Sequence, residues 1–181
     1  MIFVTDAAGR CVHVSSDWPK LTGQDVADAI DHGWIERIHP DDRTIVRETR
    51  DAATKAGAEY TLRYRLMRPD GSYRWVGAGG LPSFGMEDNR FIGFLGSITE
   101  LAEKATDTIA AYGSVGRFRP PPPHPATMPS CKLDMIADHL LIAHSLIEDD
   151  GGKEALPSLR EALFKIGRAL AAQVAEKAKL N

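Results

Sequence analysis

Residues 60–76 read YTLRYRLMRPDGSYRWV, and this stretch decides the fold. Its first half alternates apolar and polar side chains with the period of a β-strand. Pro69 presets its own φ, Asp70 can accept a hydrogen bond from the backbone just ahead, and Gly71 tolerates a positive φ. These three residues favour a tight turn, so the stretch predicts two antiparallel strands joined as a hairpin.

Further strands and short helices surround this hairpin. Residues 2–5 and 11–15 are short apolar runs that predict two strands, and 90–98 predicts the last strand. Between 16 and 57 the pattern indicates short helical pieces, and the longest of them follows the His39-Pro-Asp-Asp sequence. The order of elements predicts an α+β fold: a five-stranded antiparallel sheet with helices on one face.

The composition divides the chain into four parts. Residues 1–100 form the predicted sheet domain, and 101–112 are rich in alanine and charge, which predicts a connecting helix that begins at Thr99. Residues 113–130 contain a run of four prolines, which favours a semi-rigid linker. Residues 131–181 predict a helical hairpin.

Both helices of this hairpin carry apolar residues at alternating spacings of three and four, which is typical of a packing seam. On the first helix the seam is Leu133, Ile136, Leu140, Ala143 and Ile147; on the second it is Leu156, Leu159, Leu163, Ile166 and Leu170. A hairpin this small buries too little surface to be stable alone. We therefore expect it to dock on the sheet domain, to pair with a second copy, or both.

The last strand is apolar on both faces, which predicts a sheet covered on both sides. Strand alternation assigns Trp75, Ile92 and Phe94 to the outer face, away from the helices. We expect the outer face and the second hairpin helix to carry an interface that couples the sheet to the hairpin. Its predicted residues are Trp75, Ile92, Phe94, Leu101, Leu159, Leu163, Ile166 and Leu170.

The bulk composition is that of an ordinary globular protein. The 181 residues carry a net charge of -3, with 43% apolar and 26% charged residues, which gives no support for nucleic-acid or membrane binding. There is no apolar run of about 20 residues and no signal-peptide pattern at the start, so we expect a cytoplasmic protein. Cys11 and Cys131 are expected to be free thiols, although an interdomain disulfide stays open.

Residues 2–100 resemble a PAS domain, in particular the subgroup with a His-Pro-Asp-Asp helix start and an Asp-Gly-x-x-Arg-Trp hairpin. The segments that carry the resemblance are 4–10, 18–23, 34–42, 63–65, 70–76 and 93–100. The resemblance implies a sheet that cups a small cavity, and a sensory or protein-interaction role in signalling. It does not extend to 113–181.

Cofactors of the family can be tested against the residues. Flavin-adduct members carry a cysteine in the helical region, and residues 31–57 contain none, so the sequence excludes this photochemistry. Haem-binding relatives usually take a ligand from the long helix, which contains no histidine; His32 and His39 lie just before it. His39 is better explained by the helix start, so the sequence does not favour haem.

A small organic ligand in the cup stays an alternative to a cup filled by its own side chains. The candidate lining residues are Trp34, Ile38, Leu62, Tyr64, Leu66, Val76, Ala78, Phe91 and Leu95. We predict no cofactor.

No catalytic or metal-binding motif emerges from the sequence. His139 and His144 are five residues apart and lack the flanking residues typical of a kinase phosphoacceptor, and no ATP-binding module follows. The leading hypothesis is a non-catalytic sensor or adaptor module of the kind found in two-component systems. It homodimerises through the outer sheet face and the helices, and it contacts an unidentified signalling protein. The alternatives are a ligand- or haem-binding sensor, and a phosphotransfer partner that uses one of these histidines.

Overall fold

The computed structural model describes residues 1–102 and 110–179 of the chain. Within them the strands are β1 Ile2–Thr5, β2 Cys11–Val14, β3 Tyr60–Met67, β4 Tyr73–Phe84, β5 Phe91–Glu100 and β6 Tyr112–Val115. The α-helices are α1 Trp18–Thr22, α2 Val26–Ala29, α3 Arg43–Ala56, α4 Lys132–Asp150 and α5 Leu156–Lys179. Among the described helices, none is long and apolar enough for a transmembrane segment.

The strands form one antiparallel sheet in the order β2-β1-β5-β4-β3-β6. The β3–β4 hairpin runs in unbroken register from Tyr60 opposite Gly80 to Met67 opposite Tyr73. At its turn, the backbone N–H of Ser72 donates to Asp70 Oδ1 at 2.9 Å. The predicted hairpin, its turn and the α+β class are confirmed.

The sheet has six described strands, where the sequence predicts five. The additional strand, β6, pairs with the outer edge of β3, and Gly116 N–H donates to Glu59 O at 2.7 Å next to it. Residues 113–115 therefore belong to the sheet and not to a linker. The sequence did not predict this strand, because the nearby proline run indicates an extended segment without a hydrogen-bonded partner. β6 is only four residues long, and it pairs with a free sheet edge.

The connecting helix does not begin at Thr99. Thr99 and Glu100 continue β5 opposite Gly77 and Val76, and Glu100 forms an ion pair with Arg68 at 3.2 Å. Residues 101–102 and 110–111 are not helical either, and 103–109 lie outside the described residues. Strand pairing here overrides the helical preference of the local sequence.

The helix start at His39 forms as predicted. His39 Nδ1 accepts a hydrogen bond from the backbone N–H of Asp41 at 3.3 Å, and a 3₁₀ turn over Pro40–Asp42 leads into α3. Gly57 ends α3 in the left-handed conformation, with φ +56°. The buried face of α3 packs on the inner face of the sheet and closes the cup.

The outer face of the sheet is covered by the chain's own C-terminal part. A second apolar core lies between the sheet and the helical hairpin: Ile2, Val4, Leu81, Leu95, Phe118, Ala137, Leu141, Leu163 and Leu170 are buried in it. Leu159 and Ile166 pack against it partly buried. The prediction of a sheet covered on both faces is confirmed, and α5 packs through the predicted seam.

The seam predicted on α4 is observed in part: Leu133 and Leu140 pack partly buried against the second core, but the fully buried positions lie one residue further along. Ala137 and Leu141 are buried, whereas Ile136 is 45% exposed. The reason is that α4 has to face both the sheet and α5, so its buried stripe points between the two and not along the 3-4 pattern alone.

Two glycines of β4 allow the proline-rich segment to pack closely against this strand, because they have no side chain. A Cβ at Gly79 would overlap the ring of Phe118, and one at Gly77 would overlap Pro121. The segment therefore lies directly on the strand backbone, and Phe118 is only 2% exposed. It is an ordered part of the second core.

Candidate functional site

A small cavity lies inside the cup. It has a volume of about 40 Å³, and its walls are almost entirely apolar. The lining residues are Phe3, Thr5, Cys11, Val14, Trp18, Trp34, Arg50, Tyr60, Leu62, Tyr64, Ala78 and Ile98. This volume has room for a few water-sized groups, and an apolar wall disfavours water there.

Few polar groups reach the cavity, and those that do are held by the protein. Arg50 donates to Gly9 O at 2.6 Å, and its guanidinium lies 4.5 Å from the ring centroid of Trp34. Burial raises the pKa of the Cys11 thiol to about 11, so this thiol is neutral at physiological pH. Burial also raises the pKa of Tyr60, partly offset by the charge of Arg50 and a hydrogen bond with it. The chemistry of the cavity suits a small, uncharged, apolar guest.

The structure brings part of the predicted lining together. Trp34, Leu62, Tyr64 and Ala78 line the cavity. Ile38, Leu66 and Val76 are buried in the same core without lining it, and Phe91 packs against that core from the side. Whether any of these residues contacts a ligand stays a prediction.

Leu95 and Phe94 lie on the opposite faces from those predicted. Leu95 belongs to the second core under the hairpin, whereas Phe94 lies inside the cup, with its ring centroid 5.0 Å from that of Tyr60. The cause is a bulge in β5. Gly93 pairs with Ser83 and Phe91 pairs with Phe84, so Ile92 between them is an extra residue without a partner on β4. One extra residue reverses the alternation, so Phe91 and Phe94 share a face.

The bulge had a sequence signal that alternation alone does not use. Gly93 interrupts an apolar strand and adopts φ +133°, and a Cβ there would collide with Thr5 O. A glycine inside a strand often marks a bulge or a close backbone approach.

The histidines considered as haem ligands do not line the cavity. His39 caps the start of α3 and packs on the ring of Tyr73 at 4.6 Å between centroids. His32 is exposed and lines a separate surface pocket with Arg43 and Arg47. Among the described residues, the cavity wall contains no histidine.

The other predicted coupling residues lie around the outer face. Trp75 is half-buried beneath the Arg65 guanidinium, 5.5 Å from its ring centroid, and Leu101 N–H donates to Trp75 O at 2.9 Å. Ile92 is half-buried beside α5, in a cleft that Phe164 also lines. With Phe94 assigned to the cup, Leu95 is the residue of β5 buried in the core between sheet and hairpin, alongside Ile2, Val4 and Leu81 of the neighbouring strands.

Polar contacts attach the hairpin to the sheet domain at two places. At the start of α4, His13 Nε2 on β2 lies 3.0 Å from Asp134 Oδ1, and both side chains are buried. At its end, Arg117 forms ion pairs with Glu148 and Asp149, at 3.3 and 2.6 Å. The hairpin is thus fixed to the sheet by polar contacts as well as by its apolar core.

A cluster at the second place escaped the sequence reasoning. Glu59, His144 and Glu148 each offer a ligand atom, and these atoms lie within 4.8 Å of one another. Arg160 Nε donates to His144 Nε2 at 3.2 Å, and burial lowers the pKa of His144. The four-residue spacing of His144 and Glu148 was readable as one helix face, but nothing local pointed to Glu59. His139, by contrast, is exposed.

The described fold and cavity define the class of domain. It is an α+β domain in which a curved antiparallel sheet and short helices enclose a small apolar cavity. A family model described as a PAS fold matches residues 11–98. Among solved structures, the N-terminal domain of a diguanylate cyclase with PAS/PAC sensor from Marinobacter aquaeolei aligns with a TM-score of 0.52 and 15% identity, over 57% of this chain and 96% of that chain. The PAS domain of a protein from Colwellia psychrerythraea aligns with a TM-score of 0.46 and 23% identity, over 55% and 84%.

Residues 11–98 of this chain form a PAS domain. PAS homologues are signalling sensor modules. One curated relative, the uncharacterized protein y4lL of Sinorhizobium fredii, is 35% identical over 104 residues. The match covers 58% of this chain and only 12% of that protein.

Proposed function

We propose that this chain is a non-catalytic, cytoplasmic signalling module in which the PAS core controls the C-terminal helical hairpin. It acts as a sensor or adaptor, through homodimerisation and contact with a further signalling protein. The observation that carries the proposal is the two-sided β5: Phe94 faces the cup and its neighbour Leu95 faces the hairpin. Because both cores share one strand, a shift of β5 on one side alters packing on the other.

Coupling across β5 is testable by filling the cavity from the cup side. Ala78 lines the cavity and is 4% exposed, so Ala78→Val adds two methyl-sized groups to a tight space. Hydrogen exchange of the backbone amides should then change in α4 and α5 as well as in the cup. Met86→Val, at a position that is 62% exposed, is the matched control. Changes confined to α1–α3 would reject the coupling.

The homodimer, in this proposal, uses the helices and not the sheet, because the hairpin already covers the outer face. Met135 and Leu146 are exposed on α4 and eleven residues apart, about three turns, so they lie on the same side of the helix. Ile136 is exposed beside Met135. Sedimentation velocity of the wild-type chain should show a dimer that Leu146→Asp converts to monomer. A wild-type chain that stays monomeric at 100 μM rejects this part of the proposal.

A ligand-binding sensor is the second candidate, and the apolar cavity favours it. Native mass spectrometry of freshly purified chain should show a retained mass if the cavity holds a small molecule. Arg50→Ala, which removes a cation from the cavity edge, is the variant that should change retention. Spectra that show the bare chain mass under gentle ionisation favour the adaptor function.

A further inference from the structure

The strongest unassigned feature is the group formed by Glu59, His144 and Glu148 where the PAS domain meets the hairpin. Glu59 comes from the loop before β3, and the other two come from one face of α4. His144 is 2% exposed, and both glutamates are half-buried. One imidazole nitrogen and two carboxylate oxygens from two parts of the chain therefore converge within 4.8 Å.

Arg160 shows that the lone pairs of His144 Nε2 and of a Glu148 carboxylate oxygen point towards the same place. Its Nε donates to His144 Nε2 at 3.2 Å, and its Nη2 donates to Glu148 Oε1 at 3.0 Å. Because Nε2 accepts this bond, the imidazole is neutral and presents a lone pair, which is the form that binds metals. A single cationic group thus already occupies the point on which two of the ligand atoms converge.

We propose that Glu59, His144 and Glu148 bind a divalent transition-metal ion, which replaces the guanidinium of Arg160. One histidine and two carboxylates are ligands that Zn²⁺ and Mn²⁺ accept, with a remaining position open to water. The group faces a cleft of about 690 Å³, which provides an entry path. Metal–ligand distances of about 2.1 Å require the three atoms to approach by roughly 1 Å, a movement within reach of glutamate rotamers.

The charges around the site permit the exchange. Arg160 is 58% exposed along its side chain, so it can turn into solvent when a metal ion arrives. Arg117 stays, but it has a second partner in Asp149 at 2.6 Å. Glu59 keeps one oxygen on the backbone N–H of Phe118, at 2.8 Å, which orients its carboxylate.

A bound ion would join the PAS domain directly to α4. In the metal-free state, Glu59 and the α4 ligands belong to different contacts: Glu59 bonds Phe118, and Glu148 pairs with Arg117. The ion would tie these elements at one point, so the availability of the metal would set how firmly the hairpin is docked.

Titration of the full chain tests the proposal. After dialysis against EDTA and then buffer, Zn²⁺ is added while heat and melting temperature are recorded. We expect one site per chain and a melting temperature that rises with Zn²⁺ concentration; at 100 times Kd the folded-to-unfolded ratio rises about 100-fold. Glu148→Gln and His144→Gln should weaken binding at least tenfold. His139→Ala, on the same helix but exposed, should bind as the wild type.

Arg160→Ala separates a metal site from an ion-pair network. It removes the competing cation, so Zn²⁺ should bind several-fold more tightly, even though the metal-free protein loses two hydrogen bonds. An Arg160→Ala chain that binds no more tightly overturns the proposal, and so does unchanged binding in Glu148→Gln. If His144→Gln fails to fold, the Glu148→Gln and Arg160→Ala results, checked by circular dichroism, still decide.

Discussion

Phe118 connects the proline-rich segment to the sheet, and replacing it tests whether this segment is structural. The ring is 2% exposed and lies on the backbone of Gly79, inside the second core. Phe118→Ala removes that ring without adding a polar group. A free linker would tolerate the change, whereas an ordered part of the core would not.

The expected loss can be worked out from the burial. A buried phenylalanine removes about 150–250 Å² from water, which at about 25 cal/mol per Å² corresponds to roughly 4–6 kcal/mol, and measured Phe→Ala costs are about 3–5 kcal/mol. We expect Phe118→Ala to lower the free energy of unfolding by about 4 kcal/mol. For a chain of this size, the melting temperature should fall by about 8–16 °C.

Urea and thermal unfolding followed by circular dichroism measure this loss, and limited proteolysis locates it. Tyr112→Ala is the matched control, because Tyr112 is aromatic, lies a few residues before Phe118, and is 49% exposed. Proteolytic cleavage within residues 117–130 should be faster in Phe118→Ala than in the wild type, and unchanged in Tyr112→Ala. Equal melting temperatures for the two variants would show that the segment does not contribute to the second core.

Three further outcomes follow from the contacts. Phe94→Asp should unfold the domain, because it buries a carboxylate in the cup, whereas Ile92→Asp should leave it folded; circular dichroism of both decides, and two folded variants would contradict the bulge. Burial acts to raise the pKa of Asp42. Hydrogen bonds from Arg65 and the charge of its guanidinium outweigh this effect and lower the pKa of Asp42 below 3.8. The ionised carboxylate therefore stabilises the fold at neutral pH, and this stabilisation is lost as the pH falls through the folded pKa. Asp42→Asn should cost about 2 kcal/mol in urea unfolding at pH 7 and less below about pH 4; a cost independent of pH contradicts it. With iodoacetamide at pH 8, Cys131 should react in the folded chain and Cys11 only after unfolding, since the Cys11 thiol is buried with a pKa of about 11; rapid loss of both thiols contradicts this.

The parts of the fold that depend on local chemistry were predictable from the sequence. The Asp70-Gly71 turn and the His39 helix start each follow from bonds within a few residues, and the alternation of β3 assigns Leu62 and Tyr64 to the cup without a partner. Such features need no knowledge of what packs against them.

The errors arose where a distant partner decides the structure. β6 exists because the edge of β3 was free, and the rotation of α4 is set by the sheet and α5 together. The same holds for the candidate metal site, since Glu59 and His144 are 85 positions apart in the sequence and meet only after the hairpin docks. Sequence periodicity contains no information on such long-range contacts. The bulge in β5 is different, because Gly93 inside the strand indicates it.

The proline-rich segment and hairpin have a practical consequence for engineering. A fragment cut at Glu100, the end of the sheet domain that the sequence predicts, would lack β6 and would expose the apolar side of β5 and the unpaired edge of β3. Such a fragment invites self-association through that edge. Anyone who transfers this domain to another protein should therefore keep the chain through α5.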